Sequence, residues 1–77
     1  MWRLWTYEVW ASELGGYHVN DRFDKGIVDL PVEPTDDEII AALVRPNIHR
    51  SAINIHGDDS AIYLDIDGNP ACEIIKE

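Results

Sequence analysis

Three histidines, one cysteine and fifteen acidic side chains are the groups in this 77-residue chain whose chemistry would hold a metal or move a proton. His18, His49 and His56 fall in different segments, and no CxxC, HxH or HExxH spacing draws ligands together. The run DIDGNPACE spaces Asp65, Asp67 and Asn69 by two, as a calcium loop does. That loop also requires glycine at its sixth place and a bidentate glutamate at its twelfth, where this chain has Pro70 and Lys76. The run therefore reads as a hairpin turn, and neither metal nor cofactor is expected.

Catalysis fares no better. A nucleophile needs a base within hydrogen-bond reach and a third group to orient that base. Ser12, Ser51 and Ser60 occupy no strand-to-helix elbow, and Cys72 sits in an alternating terminal run where a cysteine is usually structural. The paired carboxylates have simpler roles: Asp36-Asp37 complements the positive end of a helix, and Asp58-Asp59 suits a turn. Gly15-Gly16 is followed by no lysine in phosphate-loop spacing. The chain is expected not to be an enzyme.

What remains is charge. Fifteen acidic against six basic residues give a net charge of -9 at neutral pH. Such a surface repels phosphate backbones and anionic membranes, and Arg22, Lys25, Arg45 and Arg50 are too few to form a basic stripe. Direct nucleic-acid and membrane binding are thus not expected, and another protein is the expected partner. Duplex DNA carries one negative charge per roughly 1.7 Å of axis. Carboxylates on a sheet edge and its turns can imitate that density and occupy a protein's nucleic-acid groove. The candidate clusters are Glu33, Asp36, Asp37 and Glu38, then Asp58 and Asp59, then Asp65, Asp67 and Glu73. The competing reading is plain solubility.

The elements that position these groups follow from periodicity. PTDDEIIAALVRP sets Thr35 as an N-cap with Glu38 closing a capping box, and Ile39, Ile40, Leu43 and Val44 form one apolar stripe, predicting a helix from Thr35 to Arg45. Around it, alternation predicts strands over Ile27–Val32, Ser51–His56, Ala61–Ile66 and Ala71–Ile75, with Asp67-Gly68 as a hairpin turn. In the first ten residues, Trp5, Tyr7 and Val9 share one face and Leu4, Thr6, Glu8 and Trp10 the other. The Trp5 face is expected to be the core side, leaving Trp2, Leu4 and Trp10 as a spare apolar patch. Ala11–Gly26 is polar and reads as a long connection in which Tyr17, Val19 and Phe23 anchor a loop or form a short strand. The expected fold is α+β: an antiparallel sheet of four to five strands with one helix on one face, in the order β-β-α-β-β-β.

Residues 1–77 suit a single domain, and one of this size has little core, so a homodimer is a natural source of further burial. A lone cysteine fits a reducing compartment. The start, MWRLWTYEVW, lacks the basic-then-apolar order of a signal peptide, and no apolar run is long enough to span a bilayer, which points to the cytoplasm.

The segments YEVW and GGYHVNDRF, the helix start TDDEIIAAL, the Gly-Asp-Asp turn and the DIDGNP turn together resemble a family of short, acidic, uncharacterised proteins encoded in bacteriophage and prophage genomes. The likeness spans most of the chain and brings no catalytic residue with it. It implies a phage context, hence the host cytoplasm, where small acidic proteins often bind and inhibit host machinery. The expected function is a small non-enzymatic protein-binding module, a phage-encoded inhibitor of a host nucleic-acid-handling protein acting through its acidic surface. The expected partner-binding residues are Trp10 as an aromatic anchor at the end of the first strand, Tyr17, Asn20, Asp21 and Phe23 in the polar segment, and Asp36, Asp37, Asp58 and Asp59. The alternative is a structural or accessory homo-oligomer joined through the spare apolar face of the first strand.

Overall fold

A computed structural model of the chain describes residues 1–11 and 17–77, with backbone alone for 8–11 and 17–20. Five strands form one antiparallel sheet: β1 (Trp2–Ala11), β2 (Tyr17–Val28), β3 (Ile53–Gly57), β4 (Ala61–Ile66) and β5 (Asn69–Lys76), in spatial order β2-β1-β5-β4-β3. Among the described residues one α-helix, α1 (Asp36–Leu43), accompanies it, so the class is mostly β with a small helix. The link from β2 to β3 must pass from one sheet edge to the other; the segment before α1 makes that passage, held to Trp2 at Pro31, and α1 begins beside the β3–β4 turn and lies on one face.

Local chemistry fixes each element. The Thr35 hydroxyl accepts from the Glu38 amide at 3.2 Å, and the Glu38 carboxylate accepts from the Thr35 amide at 3.1 Å, which completes the expected capping box. At the other end the helix stops at Val44, already extended, two residues before Pro46. Asp67 and Gly68 both have positive φ (53° and 79°), the signature of a two-residue type I′ hairpin turn between β4 and β5. Pro70 lies where the β4–β5 register shifts, a bulge position that tolerates its missing amide.

Two sequence expectations are corrected. The polar stretch expected as a connection is mostly the long edge strand β2, and the strand expected over Ile27–Val32 ends at Val28. Residues 21–25 are exposed although they pair with β1, so their polar composition reflects an edge strand in solvent, with its neighbour on one side only. The facing of β1 is also reversed. Trp2 and Leu4 face the helix side: Trp2 is buried, its indole donating to the Pro31 carbonyl at 2.9 Å, and Leu4 packs against the cluster of Ile39, Ile53, Leu64 and Cys72. Trp5 and Tyr7 lie on the face that no helix covers. A short helix needs apolar sheet residues opposite it, and the pairing of Leu4 with Ile74 and of Ile74 with Ile62 supplies that row.

Gly57 closes β3 with φ 130°, and a Cβ there would stand 2.2 Å from the Ala61 carbonyl oxygen. Gly57→Ala is therefore expected to lower stability by about 1–3 kcal/mol through strain and a forced shift of the β3–β4 turn. Urea unfolding checks this, and a change within experimental error would contradict the close approach.

Candidate functional site

The residues singled out from sequence divide into two groups at opposite edges of the sheet. Asp21 and Phe23 are exposed on β2, with Phe23 46% accessible, while Trp10, Tyr17 and Asn20 have backbone in the β1–β2 ribbon and side chains outside the described set. Asp36, Asp37, Asp58 and Asp59 lie at the helix entry and the β3–β4 turn, next to the other edge strand. The sheet keeps the two groups apart.

The second group converges. Pro34, Asp36, Ile39, Gly57, Asp58 and Asp59 line one shallow cleft, and Glu33, Val32, Trp2 and Pro34 line another that shares Asp58 and Asp59. Four carboxylates, Glu33, Asp36, Asp58 and Asp59, thus surround the start of α1, whose unpaired amides favour negative charge. Asp58 is built into the turn: one of its oxygens accepts from the Ser60 amide (2.9 Å), the Ser60 hydroxyl (2.9 Å) and the Ala61 amide (3.0 Å). Those bonds, the Ser60 amide foremost, hold its carboxyl below the usual range and keep it ionised. Asp36 has a distant cation, Arg50 at 3.6 Å, with both groups largely exposed. Asp37 is exposed beside them.

The uncovered face holds groups that the sequence reading did not assemble. Register sets Asp24, Trp5, Glu73, Tyr63 and His56 in one row across all five strands. Arg22 stacks on the Trp5 ring with its guanidinium carbon 4.4 Å from the centroid, and donates to the Glu73 carboxylate at 2.9 Å. Glu73, expected among the surface acids, is instead buried at 6% exposure, because the row places it between two aromatic residues. Burial and the Glu73 charge together push the Tyr7 phenol well above its ordinary range. At the next pair of strands His56 Nε2 lies 3.1 Å from the Asp65 carboxylate, and its ring stacks on Tyr63. Cross-strand register was the missing signal: alternation assigns faces but not neighbours.

No three of the described His, Cys, Asp or Glu residues gather as metal ligands, and no described helix is long and apolar enough to cross a membrane. No protein-family model, curated protein or solved structure matches the chain.

Two outcomes follow from this geometry. Arg22→Ala removes the cation from a buried carboxylate, so a loss of about 1–2 kcal/mol is expected, smaller than for a fully buried pair because Arg22 is half exposed. In a double-mutant cycle with Glu73→Gln the two losses should fail to add, and strict additivity would show that the pair is not coupled. The second outcome is alkaline. Burial, then the Glu73 charge, pushes the Cys72 thiol from 9.0 up to about 11, so above pH 9 the unfolded chain loses this proton first. The unfolded state then binds fewer protons, and stability should fall as pH rises from 9 to about 11. Cys72→Ala should flatten that decline in urea titrations, and an unchanged slope would refute the assignment.

Proposed function

We propose that this chain is a small non-enzymatic protein-binding module that presents the acidic end of its helix face to a basic surface of another protein. The observation that carries this reading is the convergence of Glu33, Asp36, Asp58 and Asp59 on adjoining clefts at the start of α1. Turn bonds hold Asp58 in place, so part of the patch is ordered before any partner arrives, which limits the entropy lost on binding. The partner class that fits is a protein whose groove normally receives nucleic acid, because such grooves are lined by Arg and Lys spaced for phosphates. In keeping with the resemblance to small phage proteins, the module would act as a phage-encoded inhibitor in the host cytoplasm. Asp21 and Phe23 lie too far round the sheet to share a flat contact with this patch, so they would engage only a partner that wraps the edge.

The alternative of a homo-oligomer through the spare face of β1 loses part of its basis, since Trp2 and Leu4 are in the core.

The test is capture of host-cell proteins on tagged protein, washed at low and high salt, followed by affinity measurement on the recovered protein. One nucleic-acid-handling protein should be retained at low salt and released at high salt. Asp36→Lys combined with Asp59→Lys should weaken its binding by about tenfold or more, mainly through slower association. Both sites are exposed, so folding should survive. Undiminished affinity in that variant would overturn the reading.

A further inference from the structure

At the opposite end of α1 from the acidic patch, the helix is too short for the sheet beneath it. α1 runs along the strands, its start beside Trp2 and Ile62 and its end beside Thr6 and Ile66; eight residues make about 12 Å of helix, whereas the ten-residue β1 extends for roughly 33 Å. The uncovered part is a cleft of about 420 Å³ between the end of α1, the turn after it and the floor formed by β1, β4 and β5. Its walls are mainly Leu4, Leu43, Val44, Ile48, Leu64 and Ile66. The volume lies in the range of small-molecule sites, roughly 300–1,000 Å³, which are typically apolar with a few polar groups to orient the ligand.

The polar groups are informative. None of the described acidic residues lines this cleft, and the one charged residue among its described walls is Arg45. Arg3, Arg22 and Arg50 are each paired with carboxylates, while Arg45 has no acidic partner among the described residues. The other polar wall groups among the described residues are the Thr6 hydroxyl and the Cys72 thiol. The helix carboxyl end carries about half a negative charge, which opposes an anion, but the full charge of Arg45 outweighs it.

We propose that this cleft binds an amphipathic carboxylate, an aliphatic chain seated against Leu4, Leu64 and Ile66 with its headgroup paired to Arg45. This site is independent of the acidic patch, so either can fail alone. An anion repelled by the acidic surface would find a cation here.

The test uses decanoate and decylammonium, which share a chain and differ in charge, titrated below their micellar concentrations with methyl NMR as the readout. Decanoate should saturate one site, shift the methyl signals of Leu43, Val44 and Ile48, and bind more tightly than decylammonium despite the net charge of -9. Arg45→Glu, an exposed change, should weaken decanoate binding by about tenfold or more. Val44→Trp should block the cleft, with circular dichroism confirming that the fold persists. Tighter binding of decylammonium, equal decanoate affinity in Arg45→Glu, or no saturation would each overturn the proposal. Concentration-dependent shifts of the same methyls without ligand would assign the cleft to a second copy of the chain instead.

Discussion

Ile39 packed against Ile53, Leu64 and Cys72 is the contact on which the rest of the molecule depends. It is the one fully buried residue of α1, so the helix is held to the sheet through a narrow apolar footprint, with Ile40, Leu43 and Val44 half-covered around it. An eight-residue helix is not stable alone in water. Its capping box and this footprint must therefore act together, one supplying the missing hydrogen bonds and the other the burial. Trp2 provides a second anchor. Its buried ring lies beneath the Lys76 ammonium (5.4 Å), and its indole bond to Pro31 ties the segment before the helix to the sheet. Between them, Trp2 and Ile39 set where the chain crosses the sheet and hence where the acidic helix entry comes to rest.

With the apolar side chains spent on the helix side, the other face of the sheet has to be stabilised differently. Trp5, Arg22, Glu73 and Tyr7 interlock there through stacking and charge-assisted hydrogen bonds. Such a network adds little net stability compared with an apolar core, but its directionality penalises register slips between β1, β2 and β5. A one-residue slip would withdraw Arg22 from Glu73 and turn Trp5 toward the helix. The half-buried ion pair is thus better understood as a constraint on pairing than as a source of free energy.

Legibility in the sequence follows the range of the interaction. The helix, its cap, the Asp67-Gly68 turn and the strand Ala61–Ile66 were all readable, because each depends on neighbours within a few residues. The facing of β1 was not, since both of its faces carry aromatic residues and only the partner strands decide which is inside. The length of β2 was not readable, and its sequence suggests a connection with at most a short strand, because composition registers exposure and an edge strand with solvent beside it is as polar as a loop. The acidic cluster was half readable: its members were visible as pairs, but their convergence depends on the segment before α1 crossing to the β3 edge, a long-range consequence of topology. The Arg45 cleft left no sequence mark, because it depends on where α1 stops along the strands beneath it, which local periodicity does not set.

Charge placement connects these features. On the β2 side of the sheet the cations are consumed internally: Arg3 bridges Asp24 and Glu77, and Arg22 is committed to Glu73. Near the β3 edge the acids have little compensation, with Arg50 as the nearest cation to Asp36. Among the described residues the acidic surplus is therefore not spread evenly, with Glu33, Asp36, Asp58 and Asp59 gathered where the helix begins. Self-repulsion at that end costs stability, and the chain offsets part of the cost with the helix amino terminus and the hydrogen bonds of the Asp58 turn. Solubility alone would be served as well by dispersed acids. Concentrating them against a small apolar footprint creates a local negative field at the start of α1, the field on which the proposed contact with a basic partner rests.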